Sequence, residues 1–406
     1  MKYSKEEVLQ YVQEDDVKFI RLAFCDVFGR QKNISIMPDE LPRAFSQGIP
    51  IDGSAIHGFG DVHSDVLLHP EPHTLHQLPW RPEHGKVVRL FSDITWPSGE
   101  SFPCDTRSLL KKAIADAAGS GYHFYFGSSQ EFYLFRLDDN GYPTDIPHDH
   151  AGYMDLAPED RGENVRREIC LTLEQLGIRP ESSHHEEGPG QNKINFRYSE
   201  ALSAADNVMT FRTVVKTIAR RNGLYGDFRA KPLPDQPGNG FHINISVEAD
   251  DGSDVLPSVM AGILEKAYEM TAFLNPTENS YARFGGHKAP ACISWSNDNR
   301  AQLLRLPAVV SENKRAELRS PDPTANPYLV FSLLIYAGLY GIRKNLSLPE
   351  PAGADHSSAG TAAAPEYQPL PADLAEACRA AAESDFILEN LPEEIRYIYL
   401  SRRCGI

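Results

Sequence analysis

Arg315-Ala316-Glu317-Leu318-Arg319-Ser320-Pro321-Asp322-Pro323-Thr324-Ala325-Asn326-Pro327-Tyr328-Leu329 decides the fold. Charged and apolar side chains alternate over its first five residues, so Arg315, Glu317 and Arg319 share one face of a strand. After the prolines at 321 and 323, Pro327 stands at the first position of an apolar helix running to Ile342. The part Phe331–Ile342 is the longest apolar stretch of the chain; it is too short to span a bilayer and reads as a buried helix.

Working outward, three more segments carry polar groups in the manner of half-polar strands. Ser129 and Glu131 share a face of Gly127–Glu131. His242, Asn244 and Ser246 alternate with isoleucines. The run His184-His185-Glu186-Glu187 closes on a Gly188-Pro189-Gly190 turn before Gln191. Singly, each is an ordinary half-solvated strand. Together they predict one polar cleft lined by a sheet, because buried polar groups cost free energy unless they find partners.

Helices are expected at Glu6–Glu14, Thr106–Gly119, Asn164–Leu176, Ala205–Asn222, Val255–Leu274, Pro327–Ile342 and, last, Leu374–Ser384. Strands are expected at Val17–Cys25, Asn33–Met37, Lys86–Ile94, His123–Phe135, Ile178–His185, Gln191–Tyr198 and Gly240–Val247. Asp52–His84 reads as irregular, and the Pro/Ala/Gly/Ser-rich Leu348–Pro371 as a loop or linker. Helices and strands mix without strict βαβ spacing, which favours an α+β sheet. Domains are expected at 1–97 and 98–406.

The 406 residues suggest two or three domains, and 41% hydrophobic with 24% charged residues excludes wholesale disorder. A formal charge of −16 argues against nucleic-acid or anionic-membrane partners. The N-terminus has no apolar signal core. The six cysteines are scattered, which implies neither a zinc site nor a disulfide framework and makes a reducing cytoplasm the default.

The landmarks, taken in order, resemble those of the glutamine synthetase family over nearly the whole chain. They are Asp52-Gly53-Ser54, Glu131-Phe-Tyr-Leu-Phe, His184-His185-Glu186 with Pro189-Gly190-Gln191, Gly238-Asn239-Gly240-Phe241-His242, Asn279-Ser280-Tyr281 with Arg283, Asn299-Arg300 with Arg305, and the opening Arg315–Leu329 block. The resemblance implies a small N-terminal β-grasp domain and a larger catalytic domain with a curved antiparallel sheet and flanking helices. It implies ATP, two Mg²⁺ or Mn²⁺ ions, a glutamate-like amino acid, and an acyl phosphate displaced by ammonia. It also implies a homo-oligomeric ring, a hexamer or dodecamer.

Residue by residue, the resemblance places metal ligands at Glu131, Glu186, His242 and Glu317. It places substrate contacts at Gly238, His242, Arg283 and Arg319, and catalytic roles at Asp52, Arg283, Arg300 and Arg319. ATP and its phosphates fall to Tyr198, Ser246, Arg300, Arg305 and Arg315. Three family glutamates are missing: position 129 is Ser, 193 is Lys, and the flap position 288 is Lys. A one-residue shift does not repair this, since Gln130 and Asn192 are not carboxylates. At the metal centre two negative charges are lost and one positive charge is gained. At most one protein-held metal is then expected, with Lys193 standing where a metal stood, between Glu131 and Glu186. Three readings follow: a member with impaired or lost glutamine formation, an active ATP-dependent ligase of ammonia or another amine with a reduced metal centre, or a non-enzymatic ring or filament subunit co-assembling with an intact paralogue. The site chemistry favours the first.

Overall fold

The computed structural model describes residues 3–81, 84–286, 288–307, 314–352 and 367–405. The chain divides into two compact units. One comprises Met1–Lys111, Gln175–Gly177 and Leu391–Ile406; the other comprises Lys112–Glu174 and Ile178–Asn390.

The first unit opens with the helix Lys5–Glu14. Its capping box has Ser4 Oγ accepting from Glu7 N while the Glu7 carboxylate accepts from Ser4 N. Six strands follow: β1 (Val17–Cys25), β2 (Gln31–Ile36), β3 (Ile49–Asp52), β4 (Asp65–Pro70), β5 (His76–Gln77) and β6 (Lys86–Thr95). They form a sheet in the order β2-β1-β6-β4-β3, with β5 also on β6. The β1–β6 pairing is parallel and the β1–β2 pairing antiparallel. This is the expected β-grasp arrangement. β4 and β5 correct the irregular reading of Asp52–His84: β4 alternates buried and partly exposed residues, but it is short and the Gly, Pro and His around it hide the alternation.

Nine strands make the sheet of the second unit: β7 (Tyr122–Leu137), β8 (Pro143–Pro147), β9 (Pro180–His185), β10 (Gln191–Glu200), β11 (Leu224–Asp227), β12 (Phe241–Ala249), β13 (Trp295–Ser296), β14 (Leu304–Arg305) and β15 (Ala316–Leu318). The order is β13-β14-β15-β12-β7-β10-β9, with β8 and β11 pairing on β7. The helices Ala201–Arg221, Leu256–Leu274 and Pro327–Arg343 belong to this unit. Pro327–Arg343 is apolar nearly all round and accordingly buried. Asn326 Oδ1 caps it by accepting from Tyr328 N at 3.0 Å. Its Phe331 stacks on Phe126 of β7 with ring centroids 4.3 Å apart, which ties helix to sheet. Where it crosses Leu256–Leu274 the two backbones touch: a Cβ on Gly341 would lie 2.0 Å from Ser258 O.

Leu374–Ala382 is not the last helix. Asp385–Asn390 and Glu393–Cys404 follow. The latter buries Ile395, Ile398 and Tyr399, but the Glu and Arg residues between them dilute the apolar period. Of the loop expected at Leu348–Pro371, residues 353–366 lie outside the described residues. Cys25, Cys104, Cys170 and Cys292 are free, whereas Cys378 is disulfide-bonded. The scattered cysteines carry no spacing signal for such a bond, because pairing is set by the tertiary fold. No described helix is long and apolar enough to cross a membrane.

Candidate active site

Cross-strand register assembles the site. Lys193 of β10 lies opposite Glu131 of β7, and Ser129 lies opposite both Asn195 and His242. Glu317 of β15 lies opposite Asn244 on one side and Arg305 on the other. The period-two polar faces of adjacent strands therefore fall into line, as the sequence pattern predicts.

Lys193 is at the centre. Its buried Nζ donates to Glu131 Oε1 at 2.9 Å and to His242 Nδ1 at 3.2 Å, and it lies 3.5 Å from Glu186 Oε1. Burial alone would lower the Lys193 pKa. The carboxylates of Glu131 and Glu186 outweigh it and hold the pKa above the ordinary lysine value. The ammonium is therefore charged, with no lone pair for a metal or a proton. His242 is pushed well below its ordinary value by burial, then by Arg319 and Lys193. A neutral ring is what the Lys193 contact requires, since Nδ1 accepts there.

The remaining carboxylates are also engaged. Glu317 accepts from Arg319 Nη1 at 3.0 Å and from Arg305 Nη1 at 2.9 Å. Burial opposes its ionisation, but Arg319 and Arg305 hold its pKa below the usual glutamate value. Glu186 also titrates low: burial opposes this, and the His184 hydrogen bond and Lys193 prevail. Glu131 Oε2 accepts from Gly240 N at 2.7 Å. A Cβ on Gly240 would lie 2.4 Å from His242 Nε2, so glycine lets the backbone approach here. Arg283, buried, donates to the carbonyls of Ser320 and Arg319 at 2.7 and 2.9 Å.

Glu131, Glu186, Lys193, Gly238, His242, Arg283, Lys288, Arg300 and Arg319 meet around one cavity of about 530 Å³, open mouth included. A neighbouring cavity of about 1390 Å³ is lined by Ser129, Lys193, Arg300, Arg305, Arg315 and Glu317, among others. Tyr198, Ser246 and Arg315 line a third. Asp52 belongs to the other compact unit. There its carboxylate accepts from Ser54 N at 2.9 Å and Ser54 Oγ at 2.6 Å, which lowers its pKa.

Glu187 and Tyr153 were not singled out from the sequence as site residues. Lys288 pairs with Glu187 and stands 5.3 Å from the Tyr153 ring centroid, and all three line the first cavity. Glu187 sits inside a polar run that could have flagged it; Tyr153 lies in a loop with no periodicity to read. A separate buried trio, Asp149, Asp160 and His185, has the residue types of a metal site. Its valences are already used: His185 Nε2 donates to Asp149 at 2.8 Å, and Arg166 clamps both oxygens of Asp160 at 3.0 and 2.5 Å.

Two divalent ions do not fit this donor set. Ser129 is a hydroxyl, Lys193 is a cation between two of the three carboxylates, and Glu317 is taken by two arginines. A phosphate-bearing group does fit the larger cavity. Arg300, Arg305 and Arg315 line it, and the buried Ser128 Oγ and Arg305 Nε have no hydrogen-bond partner among the described residues.

Comparison with known proteins gives one result throughout. The family model for the glutamine synthetase catalytic domain matches residues 103–404, and that for the glutamine synthetase β-grasp domain matches residues 16–97. The glutamine synthetase of Clostridium saccharobutylicum is 45% identical over 362 residues, covering 86% of this chain and 82% of that protein. That of Methanosarcina mazei is 42% identical over 414 residues, covering 98% and 92%. Among solved structures, a GmaS/ADP complex superposes with a TM-score of 0.88 at 28% identity, covering 99% of this chain and 95% of that one.

Proposed function

The chain belongs to the glutamine synthetase family, and we propose that it is a member whose glutamine-forming activity is lost or strongly impaired. In this reading it keeps the family's ring assembly and binds ATP or ADP and an acidic, glutamate-like ligand, in a regulatory or structural role. One observation carries the reading: the Lys193 ammonium lies between Glu131, Glu186 and His242. Family members use ATP with divalent metal, and the metal must be held by anionic oxygens that repay its dehydration. Here those oxygens face a fixed cation. Lys288 at the flap deepens the defect, because a charged lysine neither attracts ammonium nor takes its proton.

The test is glutamine formation from glutamate, ammonia and ATP with Mg²⁺ or Mn²⁺. No product is expected. Turnover of roughly 1 per second or faster would sink the reading. Mn²⁺ titration of the wild type, Lys193→Glu and Ser129→Glu runs beside it. Lys193→Glu should raise metal affinity most, because it removes a cation and adds a ligand in one step. Two tight divalent ions in the wild type, or weaker binding in Lys193→Glu, would contradict the assignment of residue 193.

A second reading has its own support. Arg283, Arg300, Arg305 and Arg319 surround the two cavities, the equipment for clamping a phosphoryl group. A ligase of ammonia or another amine with a reduced metal centre would use them, and amide formation in the same assay with other amines would favour it. Co-assembly with an intact paralogue as a non-enzymatic subunit is the third reading.

A further inference from the structure

We infer that the cavity beneath Lys288 is a metal-independent site for a small dianion, a dicarboxylate or a phosphoryl group. The inference rests on the reading above and names the ligand class of that same site.

The charge around the cavity carries it. Lys193, Arg283, Lys288, Arg300 and Arg319 line it; against them stand Glu131, Glu186 and Glu187. His242 adds nothing, because its Nδ1 accepts from Lys193. The surplus is two positive charges. Counting Glu317, which lies against Arg319, together with Arg305, its other partner, leaves the surplus unchanged. Two lysines create it: a glutamate at 193 and another at 288 would each move the balance by two, and the same walls would then carry a surplus of two negative charges.

The cations differ in how far they are satisfied. Lys193 and Lys288 have carboxylate partners. Arg283 is 4% exposed and, among the described residues, its hydrogen bonds go to two carbonyls rather than a carboxylate. Glu131 and Asp322 act on it only through space, and a buried guanidinium whose own hydrogen bonds go to carbonyls still gains from an anion in direct contact, because a charged partner recovers desolvation that carbonyls repay incompletely. The Lys288 ammonium, half-exposed and held by Glu187 over the Tyr153 ring, adds a cation to the same lining. A ligand that brings two negative charges neutralises this site. One that also carries an ammonium meets Lys193 and Lys288 as like charges.

Isothermal titration of the full chain with glutarate, inorganic phosphate and L-glutamate, each in EDTA and then with Mn²⁺, tests this. Glutarate or phosphate is expected to bind in EDTA at least tenfold more tightly than L-glutamate, and the arm that binds identifies the kind of dianion. Lys288→Glu is expected to weaken that binding at least tenfold, and Lys288→Gln by less, both with melting temperatures near the wild type. L-Glutamate binding as tightly as glutarate, binding only with Mn²⁺, or a Lys288→Glu variant of unchanged affinity would each overturn the inference. No binding in any arm, from a protein that also makes no glutamine, would overturn the inference alone. Glutamine turnover would overturn the reading beneath it.

Discussion

At the scale of single residues, this protein stabilises charge with charge. Lys193 and the Asp149–His185 pair are both buried, and both stand because opposite charges or acceptors surround them. His185 is the sharper case for measurement. Its Nδ1 faces Glu186 O at 2.6 Å and its Nε2 faces Asp149 at 2.8 Å, so both nitrogens donate and the ring is cationic. Burial opposes this, but the Asp149 bond and the Glu186 carbonyl raise the His185 pKa above 6.5. Asp149 moves the other way: burial would raise it, and the His185 bond brings it down to about 2. The signs set a window. The raised histidine contributes fully below its unfolded value of 6.5 and is lost as pH rises through the folded value. The lowered aspartate contributes above 3.8 and is lost as pH falls toward 2. His185→Gln should therefore lower the melting temperature most between these limits, with the gap to wild type narrowing on either side. A gap that is flat with pH would show that the pair is not ionic.

At the scale of elements, the helices Leu256–Leu274 and Pro327–Arg343 cross on glycine. A Cβ on Gly341 would meet Ser258 O at 2.0 Å, and one on Gly262 would meet Ala337 O at 2.1 Å. Both obstacles are backbone, so no rotamer relieves them. Gly341→Ala should destabilise the protein by about 3 kcal/mol, beyond any gain in helix propensity; a denaturant midpoint equal to wild type would refute this. The sequence marks both as glycines within apolar helical runs without showing that they face each other. The same limit governs the rest of what could be read. Period-two polarity located Glu131, His242 and Glu317 on strands, and it predicted one shared cleft, because polar faces must be paired somewhere. It could not reveal that Lys193 pairs in register with Glu131, since register is a property of two strands. β4 and the helix Glu393–Cys404 went unread because their apolar periods are short or broken by charges. The placement of Lys193 between Glu131 and Glu186, rather than out in solvent, fits the charge arithmetic: without the ammonium the two buried carboxylates would be left uncompensated.

For the whole molecule, the charge carried by the β-grasp unit bears on assembly. The β-grasp unit is intact as a sheet, and Asp52 is fixed in its turn by Ser54 with its pKa lowered, so it presents an anion on that unit. In the ring proposed above, Asp52 is expected to complete a neighbour's site. The formal charge of −16 per subunit opposes association only weakly, because charges farther apart than about 8 Å are screened at physiological salt. A subunit of 45.2 kDa is therefore expected to run by light scattering as a closed ring, with a mass of roughly 270 kDa for six copies or twice that for twelve. Lowering the ionic strength should loosen the ring, since it lengthens the reach of like-charge repulsion. A ring that tightens at low salt would mean that local complementary pairs, not buried surface, hold it. A monomer at micromolar concentration would remove the neighbour on which the role of Asp52 depends.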